Sequence, residues 1–221
     1  DHTMIQLLTS PTLPLVINTD LVKPGEITSY KDLLSPKWKG KIVVDDPSVN
    51  GPGAKWFAVV GSQWLGWDYM RDLTRQDLVV SRDWRQEVEW VAQGRKAIVI
   101  APLPTIVVEF QQAGAPLKEI EAVEGVYLTQ GSWGLTRLKE PAHPNSAQLF
   151  SNWLLTKEAL AIVSKAVGRS TARLDVPADF LAPEQRIQPG KKYFDGDDEK
   201  FILKQPEYLK IARDIFGPLM K

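Results

Sequence analysis

The sequence predicts an α/β fold built on a parallel sheet with crossover helices. Two patterns and one bound point there. Strand–loop–helix units recur at 41–64, 77–94 and 97–114, and each joins a short β-branched run to an apolar stripe at helical spacing. Three such units in succession are the signature of parallel strands connected through helices. The composition, 43% hydrophobic and 24% charged over 221 residues, is ordinary globular material, enough for one large domain or two small lobes.

"LPLVINTD" (13–20) reads as a strand, and "SYKDLL" (29–34) as a short helix in which Ser29 and Asp32 have capping-box spacing. "KIVV" (41–44) is the next strand, followed by the small-residue loop "SVNGPG" (48–53) and a helix whose Trp56, Val60 and Trp64 recur on one face. "DLVVS" (77–81) opens the second unit. Asp83 and Gln86 have N-cap and N3 spacing there, Trp84, Val88 and Val91 form the stripe, and Gly94 is placed to end the helix. The third unit runs from "AIVIAP" (97–102) through Ile106 and Phe110 to Gly114. Beyond it, "VYLTQGSWGLTRL" (126–138) is extended, with Gly131 and Gly134 around Trp133. A long helix follows, capped at Asn145 with Gln148 at N3, with an Ala147, Phe150 and Leu154 face and a break near Thr156. After the polar, exposed stretch 189–200, a last helix carries Tyr208, Ile211, Ala212 and Ile215 toward a core.

In such a sheet the loops at the strand C-termini share one edge with three helix N-termini, which present unpaired N–H groups and partial positive charge. An anion is the natural guest. Ser48, Asn50, Gly51 and Gly53 in the first loop are small enough for a ligand group to lie against the main chain; the plainer reading is a turn stiffened by Pro52. Ser81, Arg82 and Trp84 fall on the second loop, where a guanidinium offers forked donors to a carboxylate or phosphonate. A surface Arg82 paired with Asp83 or Glu87 is the alternative. Trp133 is either an apolar wall of the same site or a packed core residue.

"SYKDLLSPKWKGKIVVDDPSVNGPG", "VEWVAQGRKAIVIA", "KEPAHPNSAQLFSNWLLTKEAL" and "VGRSTARLDV" together resemble extracellular solute-binding proteins of ABC importers, in the subgroup holding the ferric-ion-binding and aminoethylphosphonate-binding proteins. The resemblance runs in order from about residue 13 to 177. It implies a type II periplasmic-binding-protein-like fold: two α/β lobes joined by crossing strands and closing on a ligand. Members carry roughly a hundred residues before the first crossing strand. The expectation is therefore mainly lobe two plus C-terminal helices: 1–20 as crossing strand and remnant of lobe one, 21–130 as lobe two, and 131–221 as return strand and C-terminal helices. The resemblance also implies that the loop after "DP" holds an anionic group, that the partner is an ABC permease, and that the protein is periplasmic or extracytoplasmic, held at the membrane through the permease or a lipid anchor outside this chain. The opening "DHTMIQ", without initiator Met or leader, fits removal of what preceded it.

Other classes are weaker. Lysine plus arginine equals aspartate plus glutamate at 27 each, so no net field draws the chain to nucleic acid. No cysteine is present, which excludes disulfides and thiolate chemistry. No metal or cofactor site is expected: ferric-ion-binding relatives use adjacent tyrosines near the second loop, whereas "VVSRDWRQEVEW" has none. His2 and His143 lack ligand spacing, and "DGDDE" (195–199) lacks the pattern of a calcium loop. No nucleophile elbow, Walker loop or dinucleotide fingerprint occurs, and Asp45 and Asp46, adjacent on a strand, point to opposite faces, so no enzyme is expected. The alternatives are an effector-sensing domain of a transcription regulator and a ferric-ion-binding protein with a non-tyrosine site.

Overall fold

The computed structural model describes residues 4–129, 134–136 and 142–220. The chain opens with strands β1 (Met4–Gln6) and β2 (Ser10–Thr12), then β3 (Leu15–Asn18) and β4 (Ile42–Asp45). Helix α1 (Pro52–Val59) runs through a π-helical stretch (Val60–Leu65) into α2 (Gly66–Thr74). Then come β5 (Val79–Ser81), α3 (Trp84–Ala92), β6 (Ile98–Ile100), α4 (Pro104–Gln112) and β7 (Leu117–Ile120). Strands β8 (Tyr127–Thr129) and β9 (Gly134–Thr136) precede α5 (Pro144–Leu154) and α6 (Lys157–Val167), and β10 (Phe194–Asp195), α7 (Glu199–Ile202) and α8 (Gln205–Phe216) complete the order.

Two compact units result, one of residues up to Thr12 with Tyr127–Asp197, the other of Leu13–Val126 with Asp198–Lys221. The expected 131–221 segment is thereby divided. Its last helix joins the larger unit because Tyr208, Ala212 and Phe216 are buried there, Phe216 meeting Phe57 edge-on at 5.8 Å.

The larger unit holds a five-stranded sheet in the order β5-β4-β6-β3-β7. Strand β4 pairs in parallel with β5 (Val43 opposite Val79) and with β6 (Ile42 opposite Ile98), as three successive crossovers demand. Strand β3 runs antiparallel to β6 and β7. Because side chains alternate along a strand, Leu15, Ile17, Ile42, Val44, Ile98 and Ile100 enter the core shared with Trp56, Phe57, Met70 and Phe216. Val16, Val43 and Val99 face the other way and meet Val88, Val91 and Val107 of α3 and α4. Both faces are covered, which explains why these strands read as unbroken apolar runs.

Local signals were read correctly in several places. The Ser29–Asp32 capping box is present, on a 3-10 rather than an α-helical turn. Asp83 caps α3, accepting from Arg85 N–H and Gln86 N–H at 3.0 Å each. Thr156 separates α5 from α6. The α5 start differs: Pro144 takes the first helical position, so His143 and not Asn145 is the N-cap. No α5 residue is buried, so the Phe150 face packs into no core here.

The smaller unit is built from a β1–β9 antiparallel pair, a three-stranded β10-β8-β2 sheet and helices α5 and α6. Leu7, Leu8, Leu160 and Val176 form its apolar centre.

Candidate functional site

Helices α1, α3 and α4 each begin just past the C-terminal end of a parallel strand, so their N-termini share one edge of the larger unit's sheet. The chemistry of that edge is organised by two adjacent aspartates. Asp45 ends β4, and its Oδ2 accepts the Gly53 N–H at 2.7 Å while its Oδ1 accepts the Trp84 indole N–H at 3.0 Å. Asp46 turns to the opposite side. Its Oδ1 accepts both the N–H and the hydroxyl of Ser48, at 2.8 and 2.6 Å, and its Oδ2 accepts Arg82 Nε at 2.6 Å.

The glycines gain a different meaning from this geometry. A Cβ on Gly53 would lie 2.2 Å from the Asp45 carbonyl oxygen, so the residue is small because the chain's own backbone passes against it. Its N–H, expected to face a ligand, is occupied by Asp45. Gly51 has extended backbone, φ 166°, and a Cβ there would stand 3.3 Å from Asp45 Oδ2. Two of the three helix N-termini are thus served by the protein's own carboxylates, α1 by Asp45 and α3 by Asp83. Helix α4 has no side-chain cap.

Donors nevertheless remain. Among the described residues no acceptor meets the N–H of Asn50 or Gly51, and the Asn50 side-chain oxygen accepts only from Gln205 Nε2, at 3.2 Å. Arg82 is 66% exposed although its partner Asp46 is fully buried, so the bond at Nε anchors the guanidinium and leaves its outer nitrogens at the surface. Met220 Sδ lies 4.0 Å from Arg82 Nη2 and 3.9 Å from Ser48 Oγ. Trp84, 42% exposed, presents a ring pinned through its indole N–H.

Burial shifts the acids beneath this edge. It pushes Asp45 up from 3.8 to about 6, opposed by the bonds from Gly53 and Trp84 and reinforced by Asp46. Glu87, on the first turn of α3, is fully buried with both carboxyl oxygens unpartnered. Burial first, then Asp45 and Asp83, push it from 4.5 to about 9, so it is protonated at neutral pH.

The sequence profile of bacterial extracellular solute-binding proteins matches residues 6–166 of the chain. The chain belongs to that family. No curated protein matches it in sequence. Among solved structures, the periplasmic binding protein AfuA from Actinobacillus pleuropneumoniae, with fructose-6-phosphate bound, is 21% identical with a TM-score of 0.73, over 97% of this chain and 69% of that one. An ABC transporter from Clostridium perfringens is 15% identical with a TM-score of 0.72, over 95% and 68%. IdiA (FutA) from Trichodesmium, in complex with iron and citrate, is 18% identical with a TM-score of 0.68, over 96% and 69%. These likenesses establish the periplasmic-binding-protein fold of this solute-binding protein.

Of the residues singled out in the sequence, Ser48, Asn50, Gly51, Gly53, Ser81, Arg82 and Trp84 come together on the one edge. Their roles divide. Gly53 and Ser48 are spent on internal bonds, and Ser81 accepts the Asp83 N–H at 3.1 Å and, through its carbonyl, the Asp46 N–H at 2.8 Å. Among the described residues the backbone N–H groups of Asn50 and Gly51 meet no acceptor, and the Arg82 guanidinium and the Trp84 ring stay partly exposed. Arg82 pairs with Asp46, not with Asp83 or Glu87. Trp133 lies outside the described residues. Sequence reasoning missed three features of this solute-binding protein: the anchoring role of Asp45 and Asp46, the buried acid Glu87, and Ala101, held at φ 58° just after β6 with its N–H on the Pro14 carbonyl at 2.6 Å. Only the first left a signal, the opposed faces of adjacent strand residues in "DDP".

Proposed function

We propose that this solute-binding protein captures a small anionic solute at the edge of the larger unit's sheet and delivers it to an ABC permease on the extracytoplasmic side of the membrane. The observation that carries the reading is Arg82: a guanidinium anchored at Nε by the fully buried Asp46, which also holds Ser48 of the loop whose Asn50 and Gly51 N–H groups meet no acceptor among the described residues. Anchoring lowers the entropy lost when the forked donors engage a carboxylate or phosphate. The backbone donors supply short hydrogen bonds close to the N-terminus of α1, where the helix field favours negative charge. Trp84 offers an apolar face beside them. The sugar phosphate bound to AfuA supports an anionic solute of modest size.

A ferric reading has less support at this edge. The second loop carries no tyrosine, and among the described residues no group of three histidine, aspartate or glutamate side chains is placed to hold a metal ion.

Calorimetry with fructose 6-phosphate, inorganic phosphate and citrate tests the reading. Arg82→Ala is expected to weaken binding of the solute that scores by about 1.5–3 kcal/mol, the worth of a charge-assisted hydrogen bond. Unchanged affinity in that variant would remove Arg82 from the site. Tight stoichiometric ferric ion would overturn the anion reading.

A further inference from the structure

Helix α5 of the smaller unit is built for an interior and stands at the surface. Its sequence, "PNSAQLFSNWL", contains no charged residue, and neither does the longer stretch 141–156, in a chain that is 24% charged. Every other α-helix named above carries at least one charge and buries at least one residue. Helix α5 buries none.

The large apolar side chains are the ones left out. Leu149 is 73% exposed, Phe150 55% and Trp153 48%, and the Phe150 and Trp153 rings lie 5.7 Å apart in one patch. Residues 142–150 are exposed throughout, and contact with the apolar centre of Leu7, Leu8, Leu160 and Val176 comes at the far end of the helix, through Leu154. A surface helix normally turns charge to water and its apolar stripe to a core. Eleven residues are also too few to hold a helix in water without packing. Both facts call for a covering partner, and a neutral helix bearing Phe and Trp suits an apolar one.

The likeness to solved structures identifies the partner. The chain is matched over 95–97% of its own length, yet it spans only 69% of AfuA and 68% of the Clostridium perfringens protein, leaving nearly a third of each fold without a counterpart. The smaller unit is where structure is short. Its sheet has three strands of two or three residues each, about the fewest that stand alone. A second copy of the chain could cover α5 but would leave the unmatched third of the fold unaccounted for.

We propose that the Leu149, Phe150 and Trp153 face of α5 is an interface inside the complete solute-binding protein, covered by a segment of the same polypeptide that lies outside these 221 residues and corresponds to the part of the related structures that this chain does not span. The proposal is independent of the Arg82 edge.

Photo-crosslinking of the complete, purified polypeptide tests it, with Leu149→p-benzoylphenylalanine and the products mapped by mass spectrometry. Cross-links within one chain to residues outside the 221 are expected. Cross-links between copies, cross-links to residues within the 221, or none at all would overturn the assignment, as would a reading frame that encodes nothing further. Hydrogen exchange of the wild-type protein decides the matter if the variant does not fold. The amides of 148–154 are expected to exchange at least about a hundredfold slower than an unstructured chain, at a rate independent of protein concentration. Unprotected amides there, or protection that grows with concentration, would refute the proposal.

Discussion

Replacing Glu87 by glutamine should stabilise this protein, and should do so more strongly as the pH rises. In the folded state the side chain is fully buried, both oxygens lack hydrogen-bond partners, and the proton is held up to about pH 9 against an ordinary 4.5. The unfolded chain releases that proton near 4.5. Between those two values the folded state binds more protons than the unfolded state, so stability contributed by this group falls as pH rises through the window. Each pH unit is worth about 1.4 kcal/mol, and the roughly 2.5 units between 4.5 and neutrality amount to about 3 kcal/mol at pH 7. Glutamine has nearly the same shape and cannot ionise in either state. Its amide remains as poorly partnered as the neutral acid, so the two should be about equal near pH 4 and diverge above it. Urea denaturation of both proteins at about pH 5, 7 and 8 measures the difference, expected to rise from under about 1 to about 3 kcal/mol or more. A gain independent of pH, or a loss at every pH, would show that Glu87 is not a buried neutral acid.

Gly53→Ala is expected to cost about 3 kcal/mol or more, because the new Cβ would stand 2.2 Å from the Asp45 main chain, which lies in a paired strand and cannot yield; chemical denaturation reads it, and a mild effect would mean that the α1 start moves freely. Asp46→Asn should destabilise by about 2 kcal/mol, since an amide cannot accept from Ser48 N–H, Ser48 hydroxyl and Arg82 Nε together. The same variant should weaken solute binding through a less well-held Arg82, whereas an unaltered binding isotherm would separate the anchor from the site.

The strand–loop–helix rhythm was legible because β-branched runs and helical stripes are local signals, and the parallel pairing of β4, β5 and β6 follows from their crossovers. The resemblance in "SYKDLL…NGPG" and "VGRSTARLDV" carried the family for the same reason, as its residues lie in order along the chain. The bare loop at 48–53 was legible too, but its cause was not. Whether Gly53 makes room for a ligand or for the Asp45 carbonyl depends on how α1 is set against β4, a distance that no spacing encodes. In the same way "DDP" showed two carboxylates on opposite faces, and only the tertiary contacts decided that one would hold an indole and a helix terminus and the other an arginine. Glu87 is the extreme case. It is one residue in an ordinary polar context along the chain, and it acquires its chemistry from burial, which is a property of everything packed around it.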